Sequence, residues 1–185
     1  IVGTLISFAT MAMHPTAHLM LDDFARYAPL NRIAHGIALL AVPLTLVGYG
    51  AVARRLVPHA AAWVRLGHAC IAIAQGAVSV AAVASGLIAT TMVSRILAST
   101  LLSYTAVINQ AFAAVFVVGW SAAIVAWSAA IIRSAALARW LGWYGLVVGA
   151  VLLAVTALGR LRLDVHHFGL IVLGQGVWTL AAGAQ

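Results

Sequence analysis

Long apolar runs, separated by short stretches that hold the single or paired arginines, succeed one another along the whole chain and leave it very few ways to fold. They cover approximately residues 1–14, 32–53, 60–92, 101–132, 140–158 and 165–184. A segment surrounded by hydrocarbon must satisfy its own backbone N–H and C=O groups, and an α-helix does this internally. The later runs reach or approach the roughly 20 residues that cross a bilayer core, whereas Ile1 to Met13 is too short by itself. That first run lacks a basic flank and a small-residue cleavage site, so it reads as a helix of the bundle and not as a signal peptide. The sequence therefore predicts an all-α, polytopic membrane bundle with six transmembrane helices, forming one domain over residues 1–185.

Composition agrees with this class and excludes others. Charged residues make up 7% of the chain, against about 25% in a soluble domain, and mean hydropathy is +1.11. The formal charge of +7 comes from arginine alone, and these arginines sit between the apolar runs as interfacial anchors, a pattern that argues against nucleic-acid binding. The single cysteine, Cys70, excludes an intrachain disulfide and reads as packing.

Punctuation within the chain sets the expected joints. Pro15 pushes His14 out of the helical region and ends the first span, then opens a short interfacial helix over 15–27, with Leu19, Met20 and Phe24 opposed to Asp22, Asp23 and Arg26. Ala28-Pro29-Leu30-Asn31 reads as a turn with Asn31 as N-cap of the second span, which Pro43 should kink. Arg54 to His59 reads as a loop. Gly76, Ser79, Ala82, Ser85 and Gly86, and later Gly145 and Gly149 in a GxxxG pattern, offer close helix contact.

Six crossings with short connections sort the polar residues by side. Five histidines (His14, His18, His35, His166, His167) and all three acids (Asp22, Asp23, Asp164) fall on the side reached at His14. Arginine is divided evenly, with Arg26, Arg32, Arg95, Arg160 and Arg162 on that side and Arg54, Arg55, Arg65, Arg133 and Arg139 on the other, which also holds both chain ends but no acid. That basic side is expected in the cytoplasm, and the His/Asp side outside it. His68 reads as a core histidine satisfied by a carbonyl, and Trp63, Trp140 and Trp143 as an interfacial belt.

Neutral imidazole is the common protein ligand of zinc, copper and iron. His14, His18, His35 and His167, with Asp164, form the expected metal set. His14 and His18 are four apart, though Pro15 interrupts the helix between them. Asp164 lies three residues before His167, so it can cap the sixth helix or orient that imidazole. Gln75, Asn109, Gln110 and Gln175 lie within the spans, where they serve either as the floor of a cofactor pocket or as interhelical ties. Zinc with an open coordination position would support hydrolysis of a membrane-soluble substrate, with Asp22 or Asp23 as base. Copper, suggested by Met11, Met13 and Met20, and haem b between two histidines are the alternatives. The non-enzymatic reading is a haem- or copper-binding membrane subunit, or a small transport or interaction protein with structural histidines. Membrane lipid, a hydrophobic small molecule and a second copy of the chain are the expected partners.

Overall fold

The computed structural model describes residues 1–13, 21–92, 98–134, 136–161 and 163–185. Among these all regular structure is helical: α1 (Val2–Ala12), α2 (Leu21–Ala82), a π-helical segment (Val83–Ile88), α3 (Ala89–Met92), α4 (Ala98–Ser134), α5 (Arg139–Ala157) and α6 (Val165–Gly183). Three helices are long and apolar enough to cross a membrane: the continuous path Ala25–Met92, then Thr100–Ser134 and Arg139–Ala157. The 37 residues of α4 extend roughly 55 Å. That exceeds the roughly 30 Å of a hydrocarbon core.

Helix α2 folds back on itself at Ala60 (φ −157°, ψ 50°), where helical geometry breaks two residues after Pro58. Asn31 then meets Ser85 and Thr45 meets Gln75, so the two arms run antiparallel. The expected loop at 54–59 is instead helical up to this hinge. At Pro29 the chain also departs from expectation. No turn forms at 28–31, and α2 runs unbroken from Leu21 through Pro29. Proline removes one ladder bond, which the burial of Ala28 and Ala34 and the Asn31–Ser85 tie offset. The expected interfacial helix over 15–27 survives only as the start of α2, because residues 14–20 lie outside the described set.

The remaining helices alternate in direction. Trp127 on α4 donates to the Val64 carbonyl at 3.3 Å, and Asn109 donates to Ala81 at 3.1 Å, making α4 antiparallel to the second arm of α2. Gly142, Gly145 and Gly149 are buried because α5 crosses α4 at close range. A Cβ at Gly149 would lie 2.9 Å from the Ser121 carbonyl, and one at Gly145 would strike Ser128 and Trp178. The GxxxG pair is thus a packing device. Tyr144 donates to Gly174 at 2.9 Å, bringing α6 back along α5. Helix α1 fills the space between α6 and the first arm of α2: a Cβ at Gly3 would meet Thr45, and one at Gly176 would meet Phe8.

One end of the bundle therefore carries the end of α1, the start of α2, the π-helical segment and the start of α6. The opposite end carries Ile1, the Ala60 hinge, the α4–α5 joint and Gln185. At the centre, Trp127 is fully buried, stacked on Trp178 at 6.0 Å between centroids and tilted against Tyr49 at 5.3 Å. Trp140 and Trp143 are each 57% exposed, as interfacial indoles should be.

Candidate functional site at the histidine end of the bundle

The site begins with two residues one helical turn apart on α2, Asn31 and His35, which point to the same face. Both are buried. Asn31 Nδ2 donates to the Ser85 carbonyl at 2.9 Å, inside the π-helical segment. Opposite His35 stands Gly86, where an added Cβ would overlap the His35 Cβ and ring. Glycine at this position is what lets the imidazole approach. Two turns are tied further out: Thr90 donates to the Gly86 carbonyl at 2.6 Å and accepts from Arg32 Nε at 3.3 Å. The π-helical geometry, frequent at functional sites, thus faces Asn31, Arg32 and His35 along its length.

The chemistry of His35 follows from its ring contact. Nδ1 lies 2.8 Å from the Asn31 carbonyl oxygen. A carbonyl only accepts, so Nδ1 carries the proton and the neutral ring has its lone pair on Nε2. His167 repeats the arrangement at the start of α6. Its Nδ1 donates to Asp164 Oδ2 at 2.6 Å, while Asp164 Oδ1 accepts from the His167 backbone N–H at 3.0 Å. Asp164 therefore fills both expected roles, N-cap and ring orienter. The His167 backbone N–H first, and then its ring, hold the Asp164 carboxyl below its ordinary value of 3.8, with desolvation acting the other way.

The sign of the resulting pH dependence is fixed. A carboxyl whose folded value is depressed contributes stability that is complete above the unfolded value of 3.8 and is lost as pH falls through the lower folded value. Asp164→Ala should lower the thermal midpoint by a constant interval at neutral and mildly acidic pH. Below about pH 4 that interval should close. An interval unchanged at about pH 2.5 would show that the carboxylate form is not what caps α6.

The structure distributes the other expected residues as follows. His14 and His18 lie outside the described residues, as do the side chains of Asp22 and Asp23 in the first turn of α2. Among the described residues no group of three or more His, Cys, Asp or Glu stands close enough to hold a metal ion, so His35, His167 and Asp164 by themselves do not make a closed metal centre. Each amide finds a partner distant in sequence: Thr45 donates to Gln75 at 3.4 Å, Asn109 bonds Ala81, Gln110 donates to the Leu163 carbonyl at 3.2 Å, and Gln175 donates to Ser121 Oγ at 2.7 Å. Three of these contacts tie helix to helix, and that of Gln110 ties α4 to the connection before α6. His166 is exposed, and so is His68, which is therefore not the core histidine expected.

Sequence reasoning did not single out Asn31, Arg32 and Thr90 for this site. The Asn31/His35 spacing and the Ser85-Gly86 pair opposite were the available signals, obscured by reading Asn31 as a cap.

Comparison with protein-family models, with curated proteins and with solved structures finds no match to this chain. The fold and composition define its class directly: an all-helical protein whose longest helices suit a membrane.

Proposed function

We propose that the protein is a six-crossing membrane protein that binds a transition-metal ion at its histidine end, zinc first among the candidates. The observation that carries this reading is the shared state of two imidazoles. His35 and His167 each have Nδ1–H committed to an oxygen acceptor, the arrangement that orients ligating histidines.

Their levels in the bundle support it. Tyr49 and Thr179 face each other in hydrogen-bond contact, 130 residues apart in sequence. Carrying that register down both helices by 14 residues sets His35 level with residue 165, beside His167. Helix α1 runs between these two elements, and the Met11 methyl lies 3.9 Å from where a Cβ of Gly169 would be. His14 follows three residues later and, with His18, would complete the ligand set. Three imidazoles drawn from these four, and an open position, are the donor set with which zinc supplies an activated water, and hydrolysis of a membrane-soluble substrate is the activity such a site would serve. Asp22 and Asp23, at the start of α2, would be its bases. The end that lacks acidic side chains is cytoplasmic in this reading and the histidine end outside it.

Metal analysis of purified protein tests the reading. About one equivalent of zinc should accompany the wild-type chain, and His35→Gln and His167→Gln should each lower metal affinity by roughly tenfold or more. A Soret band in place of zinc would identify haem b held by the same two imidazoles. Wild-type protein free of both metal and haem, and unaltered in stability by either substitution, would end the proposal.

A further inference from the structure

At the opposite end of the bundle the side-chain charge is of one sign. Arg54, Arg55, Arg65, Arg133, Arg139 and His59 are all exposed there, whereas the three acidic residues of the sequence, Asp22, Asp23 and Asp164, belong to the histidine end. Arg133 lies over the Trp63 ring at 5.6 Å and is held against protein. Arg55 and Arg139 instead line an open cleft of about 440 Å³, together with Leu137 and Gln185.

The cleft has a definite construction. Gln185 Oε1 accepts from the Ala138 N–H at 2.7 Å, which joins the end of α6 to the start of α5 and forms one wall. Arg55, on the last turns before the Ala60 hinge, forms the other. Arg55 and Arg139 thus line one cleft in which no acidic side chain takes part, and the positive end of the α5 dipole adds to their field. Planar guanidiniums bind phosphate oxygens in pairs and keep their charge at every physiological pH. Trp140 and Trp143, each 57% exposed on the first turns of α5, place the cleft at the level where indoles sit among lipid headgroups.

We infer that Arg55 and Arg139 form a binding site for the phosphate of an anionic membrane lipid. A basic recess at the end of a helical bundle, open sideways to the headgroup layer, takes an anionic lipid in preference to a zwitterionic one, because no acidic residue at this end attracts the positive group of the latter. The inference rests on the membrane reading but not on the metal, and substitutions in the cleft leave metal content unchanged.

Native mass spectrometry of the full chain, exchanged into detergent with phosphatidylglycerol or phosphatidylcholine, tests it. Wild-type protein should retain phosphatidylglycerol about tenfold more strongly than phosphatidylcholine. The Arg55→Gln/Arg139→Gln double variant should lose that preference, each single variant should lose about threefold, and Arg26→Gln, at the other end, should keep it. Both substituted side chains are exposed, so thermal unfolding should report folded protein throughout, and the single variants provide the reading if the double variant does not fold. Retention of phosphatidylglycerol by the arginine variants equal to wild type would overturn the inference. So would inorganic phosphate alone stabilising the wild-type protein as much as phosphatidylglycerol does, since the cleft would then be a site for a free anion.

Discussion

Trp127→Ala is expected to cost about 3–5 kcal/mol, a large part of the 5–15 kcal/mol that holds a typical domain together. The indole is fully buried and is shared by three helices: it stacks on Trp178 of α6, meets Tyr49 of α2, and donates from α4 to the Val64 carbonyl. Hydrophobic expulsion from water contributes little between helices already in lipid, so the loss comes from van der Waals contacts and from a carbonyl left without its donor. Gly67 packs directly on the ring, with a Cβ there 2.5 Å from Nε1, so the vacated volume has no side chain ready to fill it. Trp140→Ala, removing an indole that is 57% exposed, should change stability by no more than about 0.5 kcal/mol. Equal unfolding midpoints for the two variants in mild detergent would contradict this account of the core.

The second large effect is expected at Gly86. Gly86→Val should destabilise the α2 hairpin by about 3 kcal/mol and at the same time abolish metal retention. The new Cβ would overlap the His35 Cβ, and since both atoms are fixed to backbone, no rotamer change relieves the clash. The arms must separate, which breaks the Asn31–Ser85 bond and turns His35 away from the site. Gly36 and Gly76 are the controls: nothing lies within 4 Å of a Cβ at either. Alanine there should be neutral or stabilising by up to about 1 kcal/mol through helix propensity. Unfolding midpoints combined with metal content separate the outcomes, and a Gly86→Val protein that matched the Gly36→Ala control in both would refute the close approach of the arms.

These residues also show how far the sequence could be read. Apolar run length and arginine spacing anticipated the helical class and nearly every later boundary, because a helix surrounded by hydrocarbon has to be long and uncharged. Alternating direction then followed from short connections, which is why His35 and His167 were assigned to one end and Arg55 and Arg139 to the other. Local rules failed where tertiary contacts overrode them. Pro29 read as a turn, yet the helix continues because Asn31 has a partner 54 residues away. The loop expected at 54–59 is a hinge at a single residue, Ala60. The amides suited either a pocket floor or packing, and the sequence could not supply the partners that the fold gives them, such as Ser121 for Gln175. No pattern in the sequence marked the π-helical segment, although Gly86 within it is where His35 makes its close approach.

That segment also acts as a phase shifter. A stretch in which hydrogen bonds span five residues behaves like a normal helix that has absorbed one surplus residue, advancing everything beyond it by about 100° around the axis. Thr90 comes after Ile88 and inherits that rotation. The hydroxyl that receives Arg32 is thus aimed by the residue count of 83–88, so this stretch should tolerate changes of side chain at its exposed positions far better than any change of length.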